Sequence, residues 1–272
     1  LYEKKMCTYP RTDSQYLSDD MEQTAGNVIE AIFSSILFEE NRMFNPDIKR
    51  VLNSKKVTDH HAIIPTMEIA KADLAALPET ERKILSLVAN RLLCATGEKH
   101  LYETVKAELS CGGYTFTTSG KSVLKNGWKD FEDAFKRSFK ATEEKEQEDK
   151  KLPELSEGQT FDGVQTKISE HYTTPPKHFT EDSLLSAMER AGNEDMSDDV
   201  ERKGLGTPVT RADIIEKLVK DGFVKREKKQ MLPTEDGMKL ITVLPDVVKS
   251  SKLTADLENA LTLVAKGEME RE

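Results

Sequence analysis

The sequence predicts an α+β protein with mainly helical N-terminal and C-terminal domains, joined by an antiparallel β-rich segment. Apolar residues recur at helical spacing within residues 1–98 and again within residues 179–272. Between these regions, within residues 99–178, apolar and polar side chains alternate on either side of a Gly-Gly pair. Near the end, a helix, two short strands and a second helix follow one another in winged-helix-like order. We therefore expect three domains with these boundaries.

The composition indicates a protein with a core and a heavily ionised surface. The chain has 272 residues, with 49 Asp and Glu against 40 Lys and Arg, which gives a formal net charge of -9. This balance is unusual for a protein that binds nucleic acid. No run of about 18 apolar residues is present, so we expect an intracellular protein without a membrane span. Cys7, Cys94 and Cys111 are few and widely separated, which argues against a disulfide framework and against a zinc site.

Two helices are predicted in the first domain. The first starts at Asp19, with Ser18 as its N-cap, and carries apolar residues at helical spacing as far as Leu37. The second follows Pro78 and ends before Gly97, which are the usual places of proline and glycine at helix ends.

The middle segment is predicted to contain a hairpin. Residues 105–111 and 114–118 alternate apolar and polar side chains, and Gly112-Gly113 joins the two runs. A further strand is expected over residues 161–168, after a charged segment at 142–151 that we interpret as an exposed loop or a frayed helix end. Helical signals return at Thr180.

The last domain has the element order of a winged helix. Thr210 stands three residues before Asp213, as in a capping box, and Gly222 ends the helix. Two short strands then flank a basic turn over residues 225–229, and a further helix starts at Thr234. A small α+β packing unit without a DNA-binding role fits the same order, so the pattern alone leaves both interpretations open.

Reactive side chains are densest over residues 8–14, Thr-Tyr-Pro-Arg-Thr-Asp-Ser. Because Pro10 restricts its own φ and the conformation of Tyr9, the Tyr9 phenol and the Arg11 guanidinium are held in a defined relation. A tyrosine nucleophile needs nearby positive charge or a base, and arginine binds phosphate oxygens, so this pair suits attack on a phosphodiester. The alternative is a capped turn, in which Asp13 and Ser14 bond to backbone donors.

Adjacent histidines, His60 and His61, occur in the segment Asp-His-His-Ala-Ile-Ile-Pro-Thr over residues 59–66. Neighbouring side chains diverge in strands and in helices, so the two make a poor metal pair. A histidine that binds phosphate and a plain surface turn both fit this pattern.

A third cluster, residues 203–211, leads into the predicted helix of the last domain. Its glycines, Gly204 and Gly206, allow the backbone to approach an anion ahead of a helix N-terminus. It lacks the Gly-Lys-Ser/Thr ending of a Walker A loop, so nucleotide hydrolysis has no support. The candidate phosphate contacts in this cluster are Lys203, Thr207, Thr210 and Arg211.

Together and in this order, the three motifs resemble those of type IA DNA topoisomerases, most closely the bacterial topoisomerase III group. The similarity extends through Ser-Lys-Leu-Thr-Ala-Asp-Leu-Glu at residues 251–258, so it covers essentially the whole chain. It implies an ATP-independent enzyme that cleaves and religates one DNA strand through a 5′-phosphotyrosine intermediate, which allows strand passage, relaxation and decatenation. It favours the nucleophile over the capped turn for the first motif.

The resemblance also assigns roles to single residues. Tyr9 would attack the DNA strand, and Arg11 would position the scissile phosphate and stabilise its charge. His60 would contact the phosphate near the cleavage site. Thr210 matches a position that binds the DNA backbone, and Arg211 is its neighbour.

The family carries an N-terminal Toprim domain, whose glutamate and Asp-x-Asp carboxylates handle proton transfer and Mg²⁺. No Asp-x-Asp occurs in this sequence, which starts with Leu1 in mid-pattern. We therefore expect that this chain is a piece of the enzyme without the Toprim domain. We expect the piece to hold no metal, to be inactive alone and to bind single-stranded DNA. By the same resemblance, residues 1–98 are the catalytic-tyrosine domain, residues 99–178 belong to an arch, and the protein is cytoplasmic and nucleoid-associated, with no membrane partner.

Two other functions are alternatives to a type IA topoisomerase. A non-catalytic winged-helix DNA-binding module with a β-rich spacer needs no nucleophile. A tyrosine recombinase places its nucleophile near the C-terminal end, and the position of Tyr9 near the start of this sequence counts against that function.

Basic residues concentrate around the proposed DNA-facing segment, which favours a DNA-binding last domain in spite of the net charge. They are Arg202, Lys203, Arg211, Lys217, Lys220, Lys225, Arg226, Lys228 and Lys229.

Overall fold

A computed structural model describes residues 1–38, 44–57, 59–138, 151–196, 200 and 204–270. The chain forms two compact units, Leu1–Lys167 and Ile168–Glu272. Both contain helices and a small antiparallel sheet, so the α+β prediction is confirmed. Within the described ranges, no helix is long and apolar enough to cross a membrane.

The first unit is built on three α-helices: α1 (Glu22–Phe33), α2 (Glu79–Thr96) and α3 (Lys129–Ser138). Helix α2 occupies the predicted residues, directly after Pro78 and before Gly97. Helix α1 starts later than predicted, because a 3-10 turn occupies Asp19–Met21 and Ser18 makes no capping bond. The hydroxyl of Ser54 accepts the bond from the backbone N–H of Asp19 instead, at 2.8 Å.

A single apolar core lies between these helices. Leu17, Ile32, Leu85 and Leu93 are almost completely buried in it. A cluster of aromatic rings extends the core, with Phe44 and Phe131 only 4.8 Å apart between ring centroids. Burial of large side chains is the main stabilising contribution to such a unit, at about 1.5–3 kcal/mol each.

The predicted hairpin is present and longer than expected. Strands β1 (Leu101–Cys111) and β2 (Tyr114–Lys125) pair antiparallel, with Cys111 opposite Tyr114. Gly112 and Gly113 have φ values of 58° and 80°, the left-handed conformations that a tight two-residue turn requires.

The further strand predicted over residues 161–168 is wrong. These residues have no regular secondary structure, and Ile168 is 93% exposed. An alternating pattern specifies a strand only where a neighbouring strand accepts its hydrogen bonds, and none pairs with this segment in the described chain. Most of the charged segment predicted as a loop, residues 142–150, lies outside the described residues.

In the described residues of the second unit there are five α-helices and a hairpin. They are α4 (Glu181–Arg190), α5 (Pro208–Lys220), β3 (Val224–Glu227), β4 (Gln230–Pro233), α6 (Glu235–Val243), α7 (Asp246–Lys249) and α8 (Lys252–Ala265). Helix α4 is capped by Thr180, as predicted, in a reciprocal capping box with Ser183. The order helix, hairpin, helix over residues 208–243 also agrees with the prediction.

Helix α5 begins three residues before the predicted start. Its N-cap is Thr207 rather than Thr210, and Pro208 occupies the first helical position. Proline suits that position because its fixed φ is helical and its missing N–H has no partner there. The capping box is therefore Thr207–Thr210, and the spacing of Thr210 and Asp213 was a misleading signal.

Candidate active site

The first two sequence motifs lie side by side in the first unit. The backbone of Thr8 donates to the Ile64 oxygen at 2.9 Å, and the Thr66 N–H donates to the Met6 oxygen at 3.1 Å. The Thr8 side chain adds two bonds, because its Oγ1 donates to the Ala62 oxygen at 3.2 Å and accepts from the Ile64 N–H at 3.0 Å. Residues 54 positions or more apart in sequence are thus joined in register.

This pairing brings Tyr9 against His60. Their ring centroids are 4.5 Å apart with the planes inclined at 53°. Tyr2 contacts the Tyr9 ring edge-on at 5.1 Å. Tyr9 is half-buried and His60 is exposed, so the phenol is held by aromatic neighbours beside a histidine that solvent can reach.

Arg11 is exposed, two residues beyond Tyr9, and both side chains line an open cavity of about 570 Å³. The cavity wall opposite them comes from α2, through Ile84 and Val88. An ion pair between Lys4 and Glu81, with Nζ and Oε2 2.6 Å apart, joins the first residues of the chain to the same helix. The cavity leaves room for a ligand beside the phenol and the guanidinium.

His61 lies differently from His60. It is half-buried, and its Nδ1 is 2.8 Å from the backbone oxygen of Ala62. The ring of His61 thus lies beside a backbone oxygen, whereas the ring of His60 lies against Tyr9.

Cys7 lines the cavity but is a poor nucleophile, because burial raises the pKa of its thiol. Burial likewise raises the pKa of Cys94 to about 11. Asp13, which follows Tyr9 in the first motif, has an exposed side chain. Among the side chains that the structure describes, no group of three or more His, Cys, Asp or Glu is placed to hold a metal ion. The described side chains near Tyr9 therefore do not form a site that fits Mg²⁺.

In the second unit, the third motif forms the start of α5. Thr207 and Thr210 bond reciprocally: the Thr207 N–H donates to Thr210 Oγ1 at 2.8 Å, and the Thr210 N–H donates to Thr207 Oγ1 at 3.3 Å. Gly206 precedes them with a φ of 67°. Both threonines keep their hydroxyls at an exposed helix N-terminus, where backbone N–H groups favour anions.

Arg211 has a structural environment that the sequence did not indicate. It is buried, and its Nε and Nη2 donate to the backbone oxygens of Leu205 and Gly206 at 3.0 and 3.3 Å. These bonds support the loop ahead of α5 from within the protein. Lys203, the remaining candidate of this motif, lies outside the described residues.

Three contacts were not predicted from the sequence. Arg226 on β3 donates to Glu181 of α4 at 2.6 Å and is also ion-paired with Glu216 of α5. Bonding to Glu216 and then Glu181 raises the pKa of Arg226. In the first unit, Thr12 donates from Oγ1 to the His60 oxygen at 2.8 Å. Partners 45 and 48 residues apart leave no local signal in a single sequence.

Comparison with known proteins identifies the family. A family model described as DNA topoisomerase matches residues 1–272. DNA topoisomerase 3 of Bacillus licheniformis is 37% identical over 99% of this chain and 38% of its own length, and that of Bacillus subtilis is 36% identical over the same shares. The structure of full-length topoisomerase I from Thermotoga maritima covers 97% of this chain and 39% of its own, with a TM-score of 0.61 and 26% identity.

The chain thus spans about two fifths of the length of the relatives that it matches. The range matched by the family model, residues 1–272, nevertheless covers both units. This chain belongs to the DNA topoisomerase family, in its type IA branch.

Proposed function

We propose that this chain supplies the nucleophile and part of the DNA-binding surface of a topoisomerase III, which cleaves and religates one DNA strand through Tyr9. The observation that carries the proposal is the contact of Tyr9 with His60, 4.5 Å between ring centroids, beside a cavity that Arg11 also lines. Tyr9 and Arg11 line that cavity, and the imidazole of His60 lies against the Tyr9 ring.

The chemistry is a transesterification. The Tyr9 hydroxyl gives up its proton as its oxygen bonds to phosphorus, the bond from phosphorus to the 3′ oxygen breaks, and that oxygen takes up one proton and leaves as a 3′-hydroxyl. Arg11 stabilises the charge on the phosphate oxygens, and His60 contacts the same group from the other motif. Because one phosphate ester replaces another, the reverse attack reseals the strand without a nucleotide.

The second unit is proposed to bind the DNA backbone as a winged-helix-like domain over residues 179–272. Helix α5 offers its N-terminus, Thr207 and Thr210, and the hairpin after it exposes basic residues at its turn. Arg211 supports the loop from within, and Lys203 is proposed as a further phosphate contact. The long hairpin of the first unit is proposed to be part of the arch, residues 99–178, beside the catalytic-tyrosine domain, residues 1–98.

A further domain is needed for activity in this proposal. The relatives are about 2.6 times longer than the matched part, and a Toprim domain that binds Mg²⁺ is proposed to complete the site. When bound, the metal would supply positive charge for the phosphate. Single-stranded DNA is the proposed substrate, and relaxation and decatenation are the proposed outcomes.

Covalent capture of DNA tests this function. The chain is combined with a topoisomerase Toprim domain, in trans or by fusion, and incubated with labelled single-stranded oligonucleotide and Mg²⁺. We expect a denaturation-resistant protein-DNA adduct that Tyr9→Phe abolishes, because the substitution removes the attacking oxygen and keeps the ring. Tyr2→Phe is the matched control, since it alters the neighbouring ring in the same way and should keep the adduct.

The main alternative is a non-catalytic winged-helix module. It predicts DNA binding without an adduct in either the unaltered chain or the variants. An adduct that persists in Tyr9→Phe would remove Tyr9 from the role of nucleophile.

A further inference from the structure

Thr12 joins the two motifs where Tyr9 and His60 meet. Its Oγ1 donates to the backbone oxygen of His60 at 2.8 Å and accepts from the backbone N–H of Ser14 at 3.1 Å. The hydroxyl thus fixes the turn after Tyr9 and the segment that carries His60 at the same time. We propose that Thr12 is a positioning residue that holds the His60 ring against Tyr9, an inference that rests on the function proposed above.

The neighbouring contacts show why such a bond is needed. Thr8 pairs with Ala62 and Ile64, and the Ala62 N–H donates to the Tyr16 oxygen at 2.8 Å. These bonds fix the backbone at Ala62 and at Ile64, which follows it. His60 lies two residues before Ala62 and is exposed, so a packed core does not hold its ring. The bond from Thr12 ends on His60 itself.

We expect the Thr12 hydroxyl to fix the direction of the His60 ring and to contribute little to the stability of the fold. In Thr12→Val the shape is nearly unchanged, but both hydrogen bonds are lost. The freed His60 oxygen lies in an exposed turn, where water can replace Thr12, so the fold loses little. The imidazole loses its fixed direction, and a misplaced group lowers the rate of a reaction much more than it weakens binding.

Histidine NMR tests the placement directly and needs no activity. The five histidines of the chain are labelled with ¹³C, the His60 signal is assigned from His60→Gln, and the ring-current shift from Tyr9 is measured from Tyr9→Leu. We expect Thr12→Val and Thr12→Ala to move the His60 signal toward its position in Tyr9→Leu. Thr12→Ser should leave it in place, because serine keeps the hydroxyl. An unmoved His60 signal in both Thr12→Val and Thr12→Ala would overturn the proposal.

The matched control is Thr117→Val, on exposed β2 opposite Glu108. It makes the same chemical change away from the Tyr9 motif and should leave the His60 signal unmoved. Unchanged signals from the other four histidines show that each variant is folded. A His60 shift in Thr117→Val as large as in Thr12→Val would count against a specific role for Thr12.

A double-mutant cycle tests the consequence for the reaction. With the Toprim domain supplied, we expect Thr12→Val to slow cleavage about tenfold, with DNA binding changed less than about threefold. In a His60→Ala background the same substitution should change the rate less than about twofold, because Thr12 acts through His60. An equal loss in both backgrounds would overturn this role. If Tyr9→Phe keeps its adduct, the proposed function fails, whereas the NMR result still decides the placement of His60.

Discussion

At the scale of residues, Tyr9 lies against His60 of a second motif, and Thr12 bonds to the backbone of the same histidine. The types and spacing of Tyr9, Pro10 and Arg11 fit both attack on a phosphodiester and a capped turn, and the resemblance of the three motifs favoured the first. The contact of Tyr9 with His60 and the bond from Thr12 to His60 join residues about 50 positions apart. A single sequence carries no signal for such pairs. Buried Arg211, predicted as a DNA contact, shows that a basic residue type does not disclose the direction of its side chain.

Arg11 should matter more for cleavage than for binding. Its guanidinium is proposed to stabilise charge that develops on the phosphate, and the loss of one such donor typically costs about 10²–10³ in rate. We expect Arg11→Ala to slow adduct formation by that factor, with DNA affinity reduced only a few-fold. Single-turnover cleavage and fluorescence anisotropy measure the two quantities.

Arg91→Ala provides the control for charge. Arg91 lies on α2 and pairs only weakly with Glu132, with Nη1 and Oε1 3.8 Å apart. Its loss should leave cleavage near the unaltered rate. Equal losses of cleavage and affinity in Arg11→Ala would contradict the role given to Arg11.

At the scale of elements, end signals located helices better than alternation located strands. Proline and glycine marked both ends of α2, and Gly112-Gly113 marked the hairpin. The strand expected over residues 161–168 is absent because pairing, rather than pattern, makes a strand. The start of α5 was missed because two threonines compete as caps and Pro208 decides between them.

The base of the hairpin gives a sharp stability prediction at Gly127. Its φ is 57°, and a Cβ added there would lie 2.4 Å from the backbone oxygen of Lys99. Gly127→Ala therefore combines the cost of a left-handed alanine, about 1–2 kcal/mol, with a backbone clash. We expect a loss of more than about 2 kcal/mol in the free energy of unfolding, measured by urea titration with the fluorescence of Trp128.

Gly112→Ala is the matched control for this change. Its φ is 58°, nearly the same, but a Cβ there would meet no atom within 4 Å. It should lose only the conformational cost, about 1–2 kcal/mol. Equal losses of unfolding free energy in Gly127→Ala and Gly112→Ala would contradict the prediction, because they would show that the clash with the Lys99 backbone oxygen costs nothing.

At the scale of the whole molecule, the net charge of -9 does not describe the surface that is proposed to bind DNA. Exposed basic side chains lie at the turn between β3 and β4, where Arg226 is neutralised by Glu181 and Glu216. Phosphate contacts release counterions, so the affinity of the chain for DNA should fall as the salt concentration rises.

The acidic composition alone pointed away from a protein that binds nucleic acid. The motifs and the family match corrected that expectation.

The central claim is that Tyr9 forms a bond to a 5′-phosphate of DNA. Its most direct test is mass spectrometry of the adduct, formed with the Toprim domain and Mg²⁺, after digestion with nuclease and trypsin. The account predicts a nucleotide attached through its 5′-phosphate to the peptide of residues 6–11, Met-Cys-Thr-Tyr-Pro-Arg. A nucleotide on any other of the six tyrosines, or one attached through a 3′-phosphate, would contradict it.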